Sequence, residues 1–352
     1  MLWVIVTSAF AGKARPLPAS PAICGLLTPA GIVYSAALQR VYVVERERGA
    51  LEIHEDPHRS VLTARVGAGP VSVAVDAARG KAYVADADDC TVTVVDARSG
   101  SRLSTIAVGG RPYCLALDAA HGRCFLTFTE GDAVAVIDCA SDSFRRLKVG
   151  SSDLVTVNQR RGTADLLGYG TALRIVDAAA LGSRDLAIGS HAWALAENDA
   201  SGSTYACLIE DATVVEVDRE AKGVRAMRVG AIPCAVAVDR IADRLVVANY
   251  GADSVTVLDE KSGAAVATVA VGRRPDAVAL DVEGRRILVA NRLDATVSVV
   301  DAVGLRVVAT LPAGRNPCGL VVVAGTHRLY VENDDAGAPS TVIDLQASAA
   351  GR

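Results

Sequence analysis

PCAVAVDRIADRLVVANYGADSVTVLDEKSGAAVATVAVG, residues 233–272, contains four short apolar segments separated by turns. The next stretch repeats the pattern as PDAVALDVEGRRILVANRLDATVSVVDAVGLRVVATLPAG, residues 275–314. Each segment is rich in Val, Ala, Leu and Ile and is bounded by Gly, Asp, Asn or Arg, which is typical of short β-strands. No segment sustains a helical period over roughly 11 residues. Four strands per unit of about 40 residues predict the blades of a β-propeller.

The same unit extends along almost the whole chain. Its glycine recurs at intervals of 39 to 42 residues, at Gly67, Gly109, Gly150, Gly189, Gly230, Gly272 and Gly314. We divide the chain into seven complete units and an eighth with three strands, at 29–69, 70–111, 112–152, 153–191, 192–232, 233–274, 275–316 and 317–345. The sequence therefore predicts one domain over residues 1–352, an all-β propeller of eight four-stranded blades, with seven blades as the alternative.

The eighth unit lacks a fourth strand, so that strand must come from another part of the chain. Two apolar segments, Leu2–Thr7 and Pro21–Leu27, precede the first unit within residues 1–28. Pairing either one with the last sheet would close the ring and remove its exposed edges. We therefore expect an N-terminal strand to complete the eighth blade.

Recurring sequence motifs indicate a resemblance to a known repeat family. The segments LVVAN at Leu245–Asn249 and LYVEN at Leu329–Asn333, together with VSVVD and VATLPAG, resemble the repeats of YVTN-type β-propellers. The resemblance covers nearly the whole chain and implies the propeller fold. It implies little about activity, because members of that family range from cell-surface proteins to redox and binding proteins. No Trp-Asp dipeptide ends a strand, so the WD40 pattern is absent.

Composition and charge argue against several classes of partner. The net charge is −4 and the isoelectric point is near 5.8, whereas binding of nucleic acid by bulk electrostatics needs a basic face. No stretch reaches the roughly 18 apolar residues of a membrane span. An apolar run followed by Ala9-Phe10-Ala11 resembles a short export signal, but no Lys or Arg precedes the run. We expect a cytoplasmic monomer, with export as the alternative.

The cysteines fit neither a disulfide framework nor a cofactor motif. Cys124 and Cys207 fall inside second strands, where a small buried thiol is ordinary, and no spacing matches CxxC or CxxCH. Free thiols agree with a reducing compartment. Cys114, Cys234 and Cys318 border the channel, but their units are far apart around the ring, so we predict no metal site. Haem and quinone are also not predicted, since CxxCH and a tryptophan-rich repeat are both absent; we expect no cofactor.

Repeated aspartates are predicted to be structural. Aspartate hydrogen-bonds the backbone of its own turn, which explains its recurrence directly after a strand. The third strands end at Asp96, Asp138, Asp177, Asp218, Asp259, Asp301 and Asp344, and first strands end at Asp76, Asp118, Asp239 and Asp281.

Departures from the repeat indicate a ligand site. In propellers, the links between blades and the turns between second and third strands lie around the channel mouth. Arginines there can receive a carboxylate or phosphate, and aromatic side chains offer flat walls. Units three to five have also lost the consensus asparagine after the second strand. The candidate ligand-binding residues are Arg111, Tyr113, Phe128, Tyr169, Trp193, Tyr250, Arg274, Asp276, Arg292 and Arg315.

Three functions fit this pattern. The first is a binding module for a small, anionic and partly aromatic molecule or a peptide. The second is a lyase, cyclase or isomerase without a redox cofactor, in which His191 transfers a proton together with Glu130 or Glu210. The third is a metal-dependent hydrolase or lactonase, whose candidate ligands would be the consensus turn residues Asn249, Asn291 and Asn333.

Overall fold

The computed structural model describes residues 3–4, 23–24, 31–55, 60–168, 170–334 and 340–346. Within these ranges the protein consists of strands and turns arranged in eight sheets. The eight-bladed all-β propeller predicted from the repeats is thereby confirmed. The described chain has no helix of the length and apolarity needed to cross a membrane.

The strands follow the repeat in chain order. Before the first blade come β1 (Trp3–Val4) and β2 (Ile23–Cys24). Blade one contains β3 (Ile32–Ser35), β4 (Arg40–Glu45), β5 (Ala50–Glu55) and β6 (Ser60–Arg65). Blade two contains β7 (Pro70–Asp76), β8 (Lys81–Asp86), β9 (Thr91–Asp96) and β10 (Arg102–Ala107). Blade three contains β11 (Pro112–Asp118), β12 (Arg123–Phe128), β13 (Ala133–Asp138) and β14 (Phe144–Lys148). Blade four contains β15 (Leu154–Asn158), β16 (Thr163–Leu167), β17 (Ala172–Asp177) and β18 (Ser183–Ala187).

The second half of the ring has the same order. Blade five contains β19 (Ala192–Asn198), β20 (Ser203–Leu208), β21 (Thr213–Val217) and β22 (Val224–Arg228). Blade six contains β23 (Pro233–Asp239), β24 (Arg244–Asn249), β25 (Ser254–Asp259) and β26 (Ala265–Ala270). Blade seven contains β27 (Pro275–Asp281), β28 (Arg286–Asn291), β29 (Thr296–Asp301) and β30 (Arg306–Pro312). Blade eight contains β31 (Pro317–Val323), β32 (Arg328–Asn333) and β33 (Thr341–Asp344).

The first strands form the inner wall of the ring. Each contacts the first strands of the two neighbouring blades, and β31 contacts β3, which closes the circle. A hydrogen bond from the Gly31 amide to Glu332 Oε1 (3.2 Å) crosses the same junction between blades eight and one. The ring is therefore closed by contacts between the first and last blades.

The N-terminal strands lie in a different place from the predicted one. β1 pairs in parallel with β27, with Trp3 opposite Ala277 and Val4 opposite Val278, and β2 pairs with β1. Among the described residues the eighth sheet has three strands, so the described parts of Leu2–Thr7 and Pro21–Leu27 do not complete it. The rest of residues 1–28 lies outside the described chain. A first strand has an open edge toward the channel, and its unpaired backbone groups accept a short strand there.

Local hydrogen bonds explain the repeated residues. Asp259 Oδ1 accepts a hydrogen bond from the Ser262 amide (2.7 Å), and the other aspartates after third strands cap their turns in the same way. The predicted structural role of these aspartates is confirmed. The repeated glycine is explained by the side chain at the end of the second strand, which packs directly against it. A Cβ on Gly230 would lie only 2.6 Å from Cγ of Asn249.

Buried tyrosines join neighbouring blades. Tyr42 Oη donates to the carbonyl of Ala97 in the next blade (2.8 Å), and Tyr83 Oη donates to that of Cys139 (3.2 Å). Both side chains are fully buried within an otherwise aliphatic core. These two tyrosines thus connect neighbouring sheets by a hydrogen bond as well as by packing.

The seven cysteines whose side chains are described form no disulfide. Cys124 and Cys139 are the nearest pair of thiols with a described contact, at 4.0 Å between the sulfur atoms.

Candidate functional site

Two kinds of connection lie together on one face of the ring, which we call the channel-mouth face. The links between blades accept hydrogen bonds from the turns between second and third strands. Tyr250 N donates to Ile232 O (2.9 Å), and Arg292 N donates to Arg274 O (3.0 Å). The structure therefore places the two groups of predicted site residues side by side on this face.

A β-bulge begins the first strand of six blades at this face. The pairing skips from Pro275 to Ala277 in blade seven, and similar skips occur in blades two, three, five, six and eight. A bulge leaves its extra residue unpaired and re-aims the side chain. We call the following bulged residues the bulge ring: Val71, Tyr113, Trp193, Cys234, Asp276 and Cys318. In blade four, Asp153 stands directly before β15 at the corresponding place.

Arg292 pairs with two aspartates on blades seven and eight, and the more buried of the two is Asp276. Its side chain is fully buried, and its Oδ2 accepts a hydrogen bond from Arg292 Nη1 (2.9 Å). Arg292 also pairs through Nη2 with Asp334 of the next blade. Burial raises the pKa of Asp276 to about 7, against the opposing effect of the Arg292 charge. Its Oδ1 has no hydrogen-bond partner in the described part of the chain.

Trp193 and Asp153 provide two further buried polar atoms without partners. The Trp193 ring stacks near the His191 ring, with centroids 6.1 Å apart and planes inclined by 24°. Within the described ranges, neither Trp193 Nε1 nor Asp153 Oδ2 has a hydrogen-bond partner. Asp153 is 3% exposed, and burial raises its pKa to about 6. Blades four and five therefore present an unused donor and an unused acceptor at the mouth.

Most of the arginines predicted to bind a ligand already contact another side chain of the protein. Arg111 pairs with Asp88 (2.6 Å), with both side chains about half exposed. The Arg274 guanidinium lies 4.8 Å from the centroid of the Tyr250 ring. Arg315 is exposed on the link that precedes blade eight.

The predicted aromatic residues are divided between wall and core. Tyr113 is 8% exposed and belongs to the bulge ring, whereas Phe128 is 4% exposed and lies beneath the Arg146 guanidinium, 4.5 Å from its ring centroid. Tyr169 lies outside the described residues.

The predicted proton-transfer residues lie on separate connections of the channel-mouth face, with His191 on the link before blade five. Glu130 and Glu210 are both exposed on their turns. The described ring contact of His191 is with Trp193.

The consensus asparagines have structural contacts. Asn249 Nδ2 donates to Ser254 Oγ (3.1 Å) and Thr256 Oγ1 (2.9 Å), while its Oδ1 accepts from the Gly230 amide (3.0 Å). Over the described ranges, no group of three or more His, Cys, Asp or Glu side chains is arranged to hold a metal ion.

A buried polar network at the opposite end of the strands was missed by the sequence analysis. Asp165 pairs with Arg161, and Thr204 Oγ1 donates to Asp165 Oδ2 (2.6 Å) beside Glu197 (3.0 Å to Oε2). Asn158 Nδ2 donates to Glu197 Oε2 (2.5 Å). Burial raises the pKa of both carboxyl groups, that of Glu197 well above its usual value. The sequence does contain a signal for this network. Asp165 and Glu197 occupy the repeat positions at which the sixth unit has Val246 and Val238.

Comparison with known proteins shows the fold and no family. No protein-family model matches the chain, and no curated protein sequence matches it. Among solved structures, the dihydro-heme d1 dehydrogenase NirN in complex with DHE is similar over 88% of this chain and 72% of its own, with 10% identity and a TM-score of 0.77. Kuenenia stuttgartiensis hydrazine synthase is similar over 91% of this chain and 97% of its own, with 15% identity and a TM-score of 0.60.

A computationally designed protein, Ika8, is also similar, over 91% of this chain and 98% of its own, with 12% identity and a TM-score of 0.71. Identities this low carry information about the fold alone. The relation to YVTN-type propellers stays a prediction from the repeats.

Proposed function

We propose that this propeller binds a small molecule at the channel mouth, on the arc formed by blades three to five. The ligand contains a flat ring, an anionic group and a hydrogen-bond donor. Tyr113, Asp153 and Trp193 stand at corresponding places at the start of three consecutive first strands, so a single molecule can reach all three.

The observation that carries this proposal is the unused hydrogen-bonding capacity of buried atoms. Asp153 Oδ2 and Trp193 Nε1 are buried without partners among the described residues. Leaving such a group unsatisfied costs about 1–3 kcal/mol, so these positions favour a ligand that supplies the missing partners. An acceptor on the ligand suits the Trp193 N–H, and a donor suits the Asp153 carboxyl group.

The proposed anionic group is placed at Arg111, two residues before Tyr113. The Arg111–Asp88 pair is about half exposed, and exposed pairs of this kind contribute only about 0–1 kcal/mol. A ligand carboxylate can therefore replace Asp88 at low cost. The buried Arg292, in contrast, is held by Asp276 and Asp334 and is less available.

Two further points support a binding function. The dihydro-heme d1 dehydrogenase NirN, which is similar in fold, was solved in complex with DHE, and a ligand-binding propeller is compatible with this likeness. Binding also requires no proton transfer, so it does not depend on a contact between His191 and the exposed carboxylates of Glu130 and Glu210.

Binding of 2-aminobenzoate, which combines a ring, a carboxylate and an amine donor, tests the proposal by calorimetric titration. We expect Trp193→Ala and Asp153→Ala each to weaken binding about tenfold, the equivalent of about 1.4 kcal/mol, because the first removes the ring wall with its N–H donor and the second removes the carboxyl acceptor. The matched control is Asp259→Ala, at an exposed turn on the other face, which should bind like the unaltered protein. No binding by the unaltered protein, or equal binding by all three variants, would reject the proposal.

A further inference from the structure

The opposite end of the channel contains a cavity that is separate from the channel mouth. Its volume is about 340 Å³, within the range of small-molecule sites. It lies where the first strands of blades one to three end and their turns begin, with Gln159 of blade four at one side. None of the residues predicted to bind a ligand lines it.

Small residues at one repeat position create this space. The residue directly after the first strand is alanine in four consecutive blades around the ring, at Ala324, Ala36, Ala77 and Ala119, and the last three of these line the cavity. The next four blades carry larger residues there: Gln159, Asp199, Arg240 and Val282. At this end of the ring, larger side chains therefore occupy the repeat position in blades four to seven, whereas the alanines leave a cavity beside blades one to three.

One buried polar side chain in the cavity lacks a partner. Ser35 is 8% exposed, lines the cavity, and its hydroxyl forms no hydrogen bond with the described residues. In blades two, three, six and seven this position is an aspartate that caps the following turn, as Asp76 does for Arg79 N (3.1 Å). Ser35 does not make that cap, so its hydroxyl remains available to a ligand.

The side-chain amide of Gln159 is a second polar group in the cavity lining. Gln159 Nε2 donates to the Leu117 carbonyl (2.9 Å), which fixes the amide, while its Oε1 accepts no hydrogen bond from the described chain. The Asp76 carboxylate is the one charged group of the lining, and Arg79 contacts both of its oxygens, through its backbone N–H (3.1 Å) and Nη1 (2.9 Å). The lining thus offers apolar walls, an oxygen acceptor and a hydroxyl, with its single charge already neutralised.

We propose that this cavity is a second binding site, for an uncharged, mainly apolar ring compound that carries one hydroxyl or N–H donor. Burial of the rings against Val33, Ala74 and Leu117 supplies the affinity, and the donor bonds to Gln159 Oε1 or Ser35 Oγ. An anion of the same shape is disfavoured, because the lining has no free cation among the described residues and includes a carboxylate.

The probe is 2-naphthol, measured by ligand-observed NMR titration and compared with 2-naphthalenesulfonate, which has the same rings and a negative charge. We expect 2-naphthol to bind at least about tenfold more tightly than the sulfonate. Ala36→Leu fills the cavity and should weaken 2-naphthol binding at least about tenfold. Ala324→Leu, at the same repeat position in blade eight and outside the cavity, is the matched control and should bind normally.

Ser35→Ala gives a second measurement that does not depend on filling the cavity. It removes the unpaired hydroxyl and should weaken 2-naphthol binding about fivefold, with an unchanged melting temperature. Trp193→Ala at the mouth should leave 2-naphthol binding unchanged, which separates this site from the proposed function. Absence of 2-naphthol binding, preference for the sulfonate, equal binding by Ala36→Leu and the unaltered protein, or a strongly destabilised Ala36→Leu would each overturn the proposal.

Discussion

Five carboxyl groups at the channel-mouth face are buried enough for their pKa values to lie well above those of exposed carboxyl groups. Burial is the largest cause in every case. The pKa rises to about 6 for Asp86 and Asp153, about 7 for Glu45 and Asp276, and about 8 for Glu332.

These shifts predict a protein that is more stable at mildly acidic pH. Between about pH 4 and pH 8 the folded protein holds protons on these groups that the unfolded chain has released, so the free energy of unfolding rises as the pH falls. Below about pH 4 the trend reverses, because turn aspartates such as Asp96 and Asp138 have lowered pKa values and lose their stabilising charge there. Melting temperatures measured from about pH 8 to pH 3 should pass through a maximum near pH 4 to 5.

The substitution Glu332→Gln isolates the contribution of one carboxyl group to the rise in stability at acidic pH. The amide oxygen can still accept the Gly31 hydrogen bond, but the side chain no longer titrates. The rise in melting temperature between about pH 8 and pH 6 should shrink in this variant and stay unchanged in the turn variant Asp259→Asn. A protein that melts at a lower temperature at pH 5 than at pH 8 would contradict the assignment of these pKa values.

Residue roles were predictable where the partner is local in sequence. Asp259 caps a turn three residues away, and comparison between blades identified that role directly. The partner of Arg111 is 23 positions away and one partner of Arg292 is 42 positions away. Because spacing alone does not show which loops meet, the sequence marked these arginines as available cations, whereas the structure shows ion pairs.

At the level of elements, blades four and five depart most from the repeat, and the departure is a buried polar network. Arg161 has 7% of its side chain exposed and pairs with the fully buried Asp165, while the nearby Glu197 is held by Asn158 and Thr204. We therefore expect charge compensation by Arg161 to stabilise both blades.

Arg161→Met should destabilise the protein by about 3–5 kcal/mol, because it leaves the Asp165 carboxylate buried without a counter-charge. The matched control is Arg111→Met at the exposed pair with Asp88, for which we expect a change of at most about 1 kcal/mol. Urea unfolding followed by circular dichroism measures both. Similar effects of the two substitutions would show that the buried network does not depend on Arg161.

For the whole molecule, the repeat period was sufficient to predict eight blades because each unit is a complete sheet whose strands pair with their sequence neighbours. The place of the N-terminal strands could not be derived in the same way. Two unpaired edges compete for a short apolar strand, the outer edge of blade eight and the channel side of an inner strand, and composition does not distinguish them. In the structure, the described residues of β1 pair at the inner edge of blade seven.

Among the described residues, blades one and eight meet through β3 and β31, so we expect ring closure not to require the N-terminal residues. Deletion of residues 1–28 removes β1, which has two residues paired with β27, and leaves the bond between Gly31 and Glu332 in place. We expect the truncated protein to unfold in one cooperative transition by calorimetry. Ile32 is fully buried at the closing junction, so Ile32→Ala should cost about 2–5 kcal/mol and lower the melting temperature more than the truncation does. A broad, multi-step transition in the truncated protein, with Ile32→Ala remaining cooperative and stable, would instead assign closure of the ring to residues 1–28.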